Sequence, residues 1–174
     1  MGMPLFYHYL FVFALISRAS DLLTTWLVSP TLKLEANPIA RRFRWPFGFL
    51  TLLAAFLAYG LPEMCVALTT ASFLVAGSNA MKIPMARSLG EEAYYKMILE
   101  SVAKGPFWTG LLIRLAPAPF YAFLACLIFF TNASNTWAYW IGIGVVCYVI
   151  AIIIHWTIAY VRLWKIGRVT LKAC

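Results

Sequence analysis

The sequence predicts an all-α protein, a polytopic transmembrane helical bundle of five spans, and three observations carry that expectation. First, 63% of the 174 residues are hydrophobic, 11% are charged and the mean hydropathy is +0.83, far from the averages of soluble proteins. A soluble globule of this size still leaves roughly a third of its unfolded surface in water, so apolar content this high calls for lipid as part of the solvent. Second, the apolar residues form runs of about the ~20 residues that a helix needs to cross a bilayer. Third, most of the 14 Lys and Arg gather between those runs, as at cytoplasmic membrane faces. The formal charge of +8 is thus a topology signal, and no nucleic-acid partner is expected.

The first span is expected at about 4–28 and is closed by Ser29-Pro30, since proline disfavours helix in the residue before it. Its apolar start, Leu5 to Ile16, has no basic residue before it and no small-x-small pattern after it, so it reads as a retained span rather than a cleaved leader. Residues 31–45 are polar and basic, with Lys33, Arg41, Arg42 and Arg44, and end in the interface-type residue Trp45. From Pro46 to Ala80 the chain is apolar for 35 residues, which as one helix would be about 50 Å long and overshoot a ~30 Å core. Gly60-Leu61-Pro62-Glu63 is the expected break, because proline removes a backbone donor and a mid-bilayer Glu is costly. That gives short spans at about 47–61 and 64–80, with one kinked helix as the alternative.

Residues 81–105 turn polar again, and Glu92 and Lys96 stand four apart, so an interfacial helix near 89–102 is expected. The last two spans are expected at about 107–130, broken or kinked by Pro117 and Pro119, and at about 136–163. A basic tail with Arg162, Lys165, Arg168 and Lys172 follows. Five spans place residues 31–45, residues 81–105 and this tail on one side and leave the other side without Lys or Arg. The positive-inside rule then puts the N-terminus outside and the C-terminus inside. Four spans would expose either the first basic loop or the tail. The whole chain, 1–174, is expected to form one transmembrane domain.

Within this apolar frame the polar residues stand out. Asp21, the only aspartate, lies well inside the first span with Arg18 three residues before it and Thr24 and Thr25 after it. Helical spacing puts Ser17, Arg18, Asp21, Thr24 and Thr25 on one broad face that must avoid lipid. Read structurally, the stripe is glue between helices; read functionally, ionisable groups inside a membrane mark sites, because their burial is expensive. Glu35 and Asn37 in Glu35-Ala-Asn37-Pro38 offer oxygens suited to a hard cation, while Asn37-Pro38 is equally a helix-start signal with Asn37 as cap. Thr69, Ser72, Ala76 and Asn79 fall on one stripe of the third span, and small residues there favour close packing. Asn79 should lie level with Thr24, Thr25 and the Glu35 loop.

Arg114 can snorkel to the cytoplasmic interface or pair inside the bundle. His155 can titrate or ligate, but a lone His is more often a hydrogen-bonded helix contact. His8 lies at a different depth, so a bis-His haem site is not expected, and no cofactor or metal is assigned. The four cysteines form no CxxC pair, and three sit in apolar segments as small hydrophobes. Gly142-x-Gly144 reads as helix packing. Asn132-Ala-Ser134 matches a glycosylation acceptor that matters only in a eukaryotic secretory setting.

Asp21-Leu-Leu-Thr24-Thr25, Glu35-Ala-Asn37-Pro38 and Asn79 resemble the pattern of an uncharacterised family of small prokaryotic integral membrane proteins. That family has an Asp-x-x-x-Thr first helix and a Glu-x-Asn-Pro loop, and its function is unknown. The resemblance covers residues 1–80. It implies three spans for that part, agrees with two spans in 46–80, carries over Asp21, Thr25, Glu35, Asn37, Pro38 and Asn79, and implies a prokaryotic inner membrane. The chain departs from the pattern in Ser78-Asn79, where a paired amide is expected, in a second span without a basic residue, and in two added spans in 81–174.

No complete catalytic motif can be read. The first functional expectation is a non-catalytic integral membrane subunit or scaffold that packs against a larger membrane protein complex, a lipid or a pigment, or forms a homo-oligomer. Its seven Trp and thirteen Phe fit that surface. The alternative is an intramembrane enzyme or ion-binding protein with a polar site of Asp21, Glu35, Asn37 and Asn79.

Overall fold

The computed structural model describes residues 4–35, 37–131 and 134–172, and every described regular element is helical. In order they are α1 (Leu5–Val28), α2 (Pro38–Phe43), α3 (Trp45–Ala54) with a 3-10 turn (Ala55–Ala58), α4 (Pro62–Ala80) and α5 (Ile83–Leu89). Next come α6 (Glu91–Lys104), α7 (Phe107–Leu115), α8 (Pro117–Thr131) and α9 (Thr136–Lys172). Four stretches are long and apolar enough to cross a membrane: Leu5–Val28, Pro62–Leu89, Phe107–Thr131 and Thr136–Val169. The glycosylation acceptor falls partly outside the described residues.

The fifth expected span, 47–61, is the shorter apolar helix Trp45–Ala58. Its ten α-helical residues and its four-residue 3-10 turn reach about 23 Å, less than a ~30 Å hydrocarbon core. The break falls before Pro62, and α4 starts there, because proline is favoured in a first helical turn, where its missing N–H costs nothing. The expected span at 64–80 likewise continues past a turn at Met81-Lys82 into α5. α7 ends at Leu115 and Pro117 opens α8, so of the break or kink expected there the structure has the break. The helix expected near 89–102 is α6, shifted slightly along the chain. α9 runs on past the expected end at 163 through the basic tail to Lys172.

The direction of each helix follows from its contacts. Along α1 and α4 the pairs climb together: Ala14 packs with Cys65, Arg18 reaches Ser72, Thr25 meets Asn79, and Val28 packs with Ala86 of α5. These two helices are therefore parallel, and small buried residues (Ala14, Ser17, Cys65, Ser72, Ala76) let them approach closely. α3 runs back against α1: Trp45 bonds to Pro30, Thr51 to Arg18, Phe56 packs on Phe11 and Tyr59 bonds to His8. α9 runs parallel to α4, with Gly144 against Ala67 and Thr70 and Trp156 beside Lys82. α7 and α8 run antiparallel to α9, from Phe107 against Trp164 to Phe129 against Tyr139. All the basic loops thus gather at one end, where α6 packs Val102 against Leu163.

Candidate functional site

The polar stripe of α1 is the centre of a cluster that ties α1, α3 and α4 together. The Arg18 guanidinium donates from Nη1 to Asp21 Oδ2 at 2.9 Å and to Ser72 Oγ at 3.4 Å, and from Nη2 to Thr51 Oγ1 at 3.0 Å. The Thr51 hydroxyl in turn donates to the Gly48 carbonyl at 2.7 Å. Asp21 is buried, and the Thr25 hydroxyl lies one helical turn further on, close enough to act on its carboxyl. Thr25 in turn accepts from Asn79 Nδ2 at 3.0 Å, and Asn79 Oδ1 accepts from Lys82 Nζ at 3.3 Å. The Lys82 ammonium lies over the Trp156 ring of α9, 4.9 Å from its centre.

Glu35 sits near enough to act electrostatically on both Asp21 and Lys82. Arg18 and Asp21 neutralise each other directly at 2.9 Å, which is how charge is tolerated in a low-dielectric interior. The chain of contacts from Thr51 through Arg18, Asp21, Thr25 and Asn79 to Lys82 runs from the middle of α1 to its basic end. Its hydroxyls and amide join charges that do not touch. No three His, Cys, Asp or Glu among the described residues stand together as a metal-ligand set.

The structure brings together Arg18, Asp21, Thr25 and Asn79, with Glu35 close by. Thr24 is not joined to them: its hydroxyl bonds back to the Ser20 and Asp21 carbonyls of its own helix. Asn37 takes its capping role, with Oδ1 accepting from the Ile39 and Ala40 amides, and its own amide donates to Glu35 Oε1 at 2.7 Å. Arg114 lies over the Tyr160 ring at 5.5 Å, on the α7 side of the bundle. His155 is half-buried on α9. Lys82, Thr51 and Trp156 are members that sequence reasoning missed. Lys82 reads there as one more loop cation, although its place three residues after Asn79 was a usable signal. Nothing in the spacing of Thr51 marks it, since the face it presents depends on where α3 lies.

A second polar contact clasps the loop after α1 to the start of α6. Glu91 accepts from the Ser29 hydroxyl, the Thr31 amide at 3.1 Å and the Lys33 amide at 3.4 Å. Lys33 forms an ion pair with Glu92, and Arg162 donates to the Lys33 carbonyl at 3.3 Å. Burial pushes the Glu91 carboxyl up, but the hydrogen bonds from Ser29, Thr31 and Lys33 outweigh it and hold the group below the usual carboxylate value.

Fold and cluster define an all-helical protein with four membrane-length helices and a charge-balanced polar core. Compared with protein-family models, curated proteins and solved structures, the chain matches none.

Proposed function

We propose that the chain is a non-catalytic integral membrane subunit or scaffold that packs against a larger membrane protein through α3. The carrying observation is the outer face of that short helix and its 3-10 turn, where Phe49, Leu50, Leu53 and Leu57 are each more than half exposed. In this reading Trp45–Ala58 crosses the bilayer, giving five crossings with the N-terminus outside and the C-terminus inside. Parallel α1 and α4 need such a return, and the basic loops then share the cytoplasmic side. A helix this short strains the surrounding lipid, and packing against a longer neighbour relieves the mismatch. The resemblance of residues 1–80 to small prokaryotic membrane proteins supports an inner-membrane setting.

A photo-crosslinking amino acid at Leu53, activated in native membranes, tests the reading. A discrete adduct with one other membrane protein, copurifying at fixed stoichiometry, is expected. Adducts with lipid alone contradict it.

A second reading is an intramembrane ion-binding or catalytic site. It is favoured by the contact chain from Asp21 through Thr25 and Asn79 to Lys82, with Glu35 beside it. Asp21→Asn and Glu35→Gln variants that fold and keep full biological activity contradict it.

A further inference from the structure

We infer that α2 and the turn after it form a binding site for anionic phospholipid headgroups of the leaflet at the basic end. The six-residue helix exposes Ile39 and Phe43, one helical step apart, and both are more than half exposed. Beside them Arg41, Arg42 and Arg44 are exposed, and none of their three guanidinium groups is in an ion pair among the described residues. Lys33 nearby is already neutralised by Glu92. Asn37 caps the helix start, and the Trp45 indole donates to the Pro30 carbonyl at 2.9 Å, which pins the segment to the end of α1. An apolar pair that enters the acyl boundary, flanked by unpaired guanidiniums, is the chemistry of an interfacial anchor on an anionic surface.

The backbone supplies an independent observation. Arg44 adopts φ +55° and ψ −144°, a region that glycine occupies freely and that other residues adopt only with strain. An arginine stands where a glycine would make the same turn without strain. The Arg44 guanidinium is exposed there, free to meet a phosphate diester of the adjoining leaflet, because guanidinium forks match phosphate oxygens.

The test uses the full chain in nanodiscs of equal phosphatidylglycerol and phosphatidylcholine, with retained lipid counted by native mass spectrometry. Wild type is expected to be enriched in phosphatidylglycerol. Each arginine at a membrane surface contributes about fivefold, so R41Q/R42Q/R44Q should lose enrichment on the order of a hundredfold. Arg44→Gly separates binding from folding: it should unfold at a higher temperature in phosphatidylcholine alone and still lose about fivefold in enrichment. Millimolar inorganic phosphate should displace nothing, because the site draws on the bilayer surface as well as on the phosphate. Unchanged enrichment in the triple variant overturns the inference. So does an equal loss in K96Q/K165Q, whose lysines are exposed at the same end, or displacement of lipid by inorganic phosphate.

Discussion

Removing the charge of Asp21 leaves the Arg18 guanidinium inside the bundle with two hydroxyls and no counter-charge. Breaking one partner of a buried pair costs about 3 kcal/mol or more, so Asp21→Asn should lower thermal stability in detergent sharply, as read by circular dichroism. Replacing the pair together, Arg18→Met with Asp21→Leu, should return most of that loss. A double variant that folds yet loses its partner would show that the cluster does more than hold helices. At the basic end, the depressed Glu91 carboxyl favours the deprotonated form in the folded state. Its contribution is therefore full above the ordinary carboxylate value and disappears as pH falls below it. Amides of Thr31 and Lys33 should exchange hydrogen faster at pH 3 than at pH 6 after correction for intrinsic rates, and Glu91→Gln should flatten that difference. The convergence of Asp21, Thr25 and Asn79 was legible in the sequence because helical spacing fixes which α1 residues share a face. The roles of Thr24 and Asn37 were not separable there, since both have a backbone group within reach of their own side chain, and local bonds win.

Between elements, close approach depends on single glycines. A Cβ on Gly144 would lie 2.6 Å from the Ala67 carbonyl oxygen and 2.7 Å from Thr70 Cβ, so the parallel α4 and α9 would have to part. Gly144→Ala should destabilise by about 1–3 kcal/mol, whereas Gly77→Ala, where nothing lies within 4 Å, should gain up to about 1 kcal/mol from helix propensity alone. Comparing the two melting temperatures checks the packing. Reading Gly142-x-Gly144 as a packing motif needed only its apolar helical setting. The boundaries of the elements were less legible. Pro62 and Pro117 were visible as breaks, but proline both ends one helix and starts the next, so α4 begins earlier than expected and α8 separates from α7.

At the scale of the whole molecule, the basic clusters already arranged the loops on one side, because charge placement needs no knowledge of packing. The direction of α3 did not follow from composition. It rests on Trp45 beside Pro30, Thr51 beside Arg18 and Tyr59 beside His8, contacts between residues many positions apart. Those contacts carry the chain back along α1, which lets α4 run parallel to it, and the account of the cluster and of the outward α3 face depends on a return through the bilayer. Single cysteines at Leu61 and Arg42, in a background with Cys65, Cys126, Cys147 and Cys174 replaced by Ala, test it with a membrane-impermeant maleimide. Leu61→Cys should be labelled on intact cells and Arg42→Cys only after lysis. Labelling of both from the same side would contradict the five-crossing account.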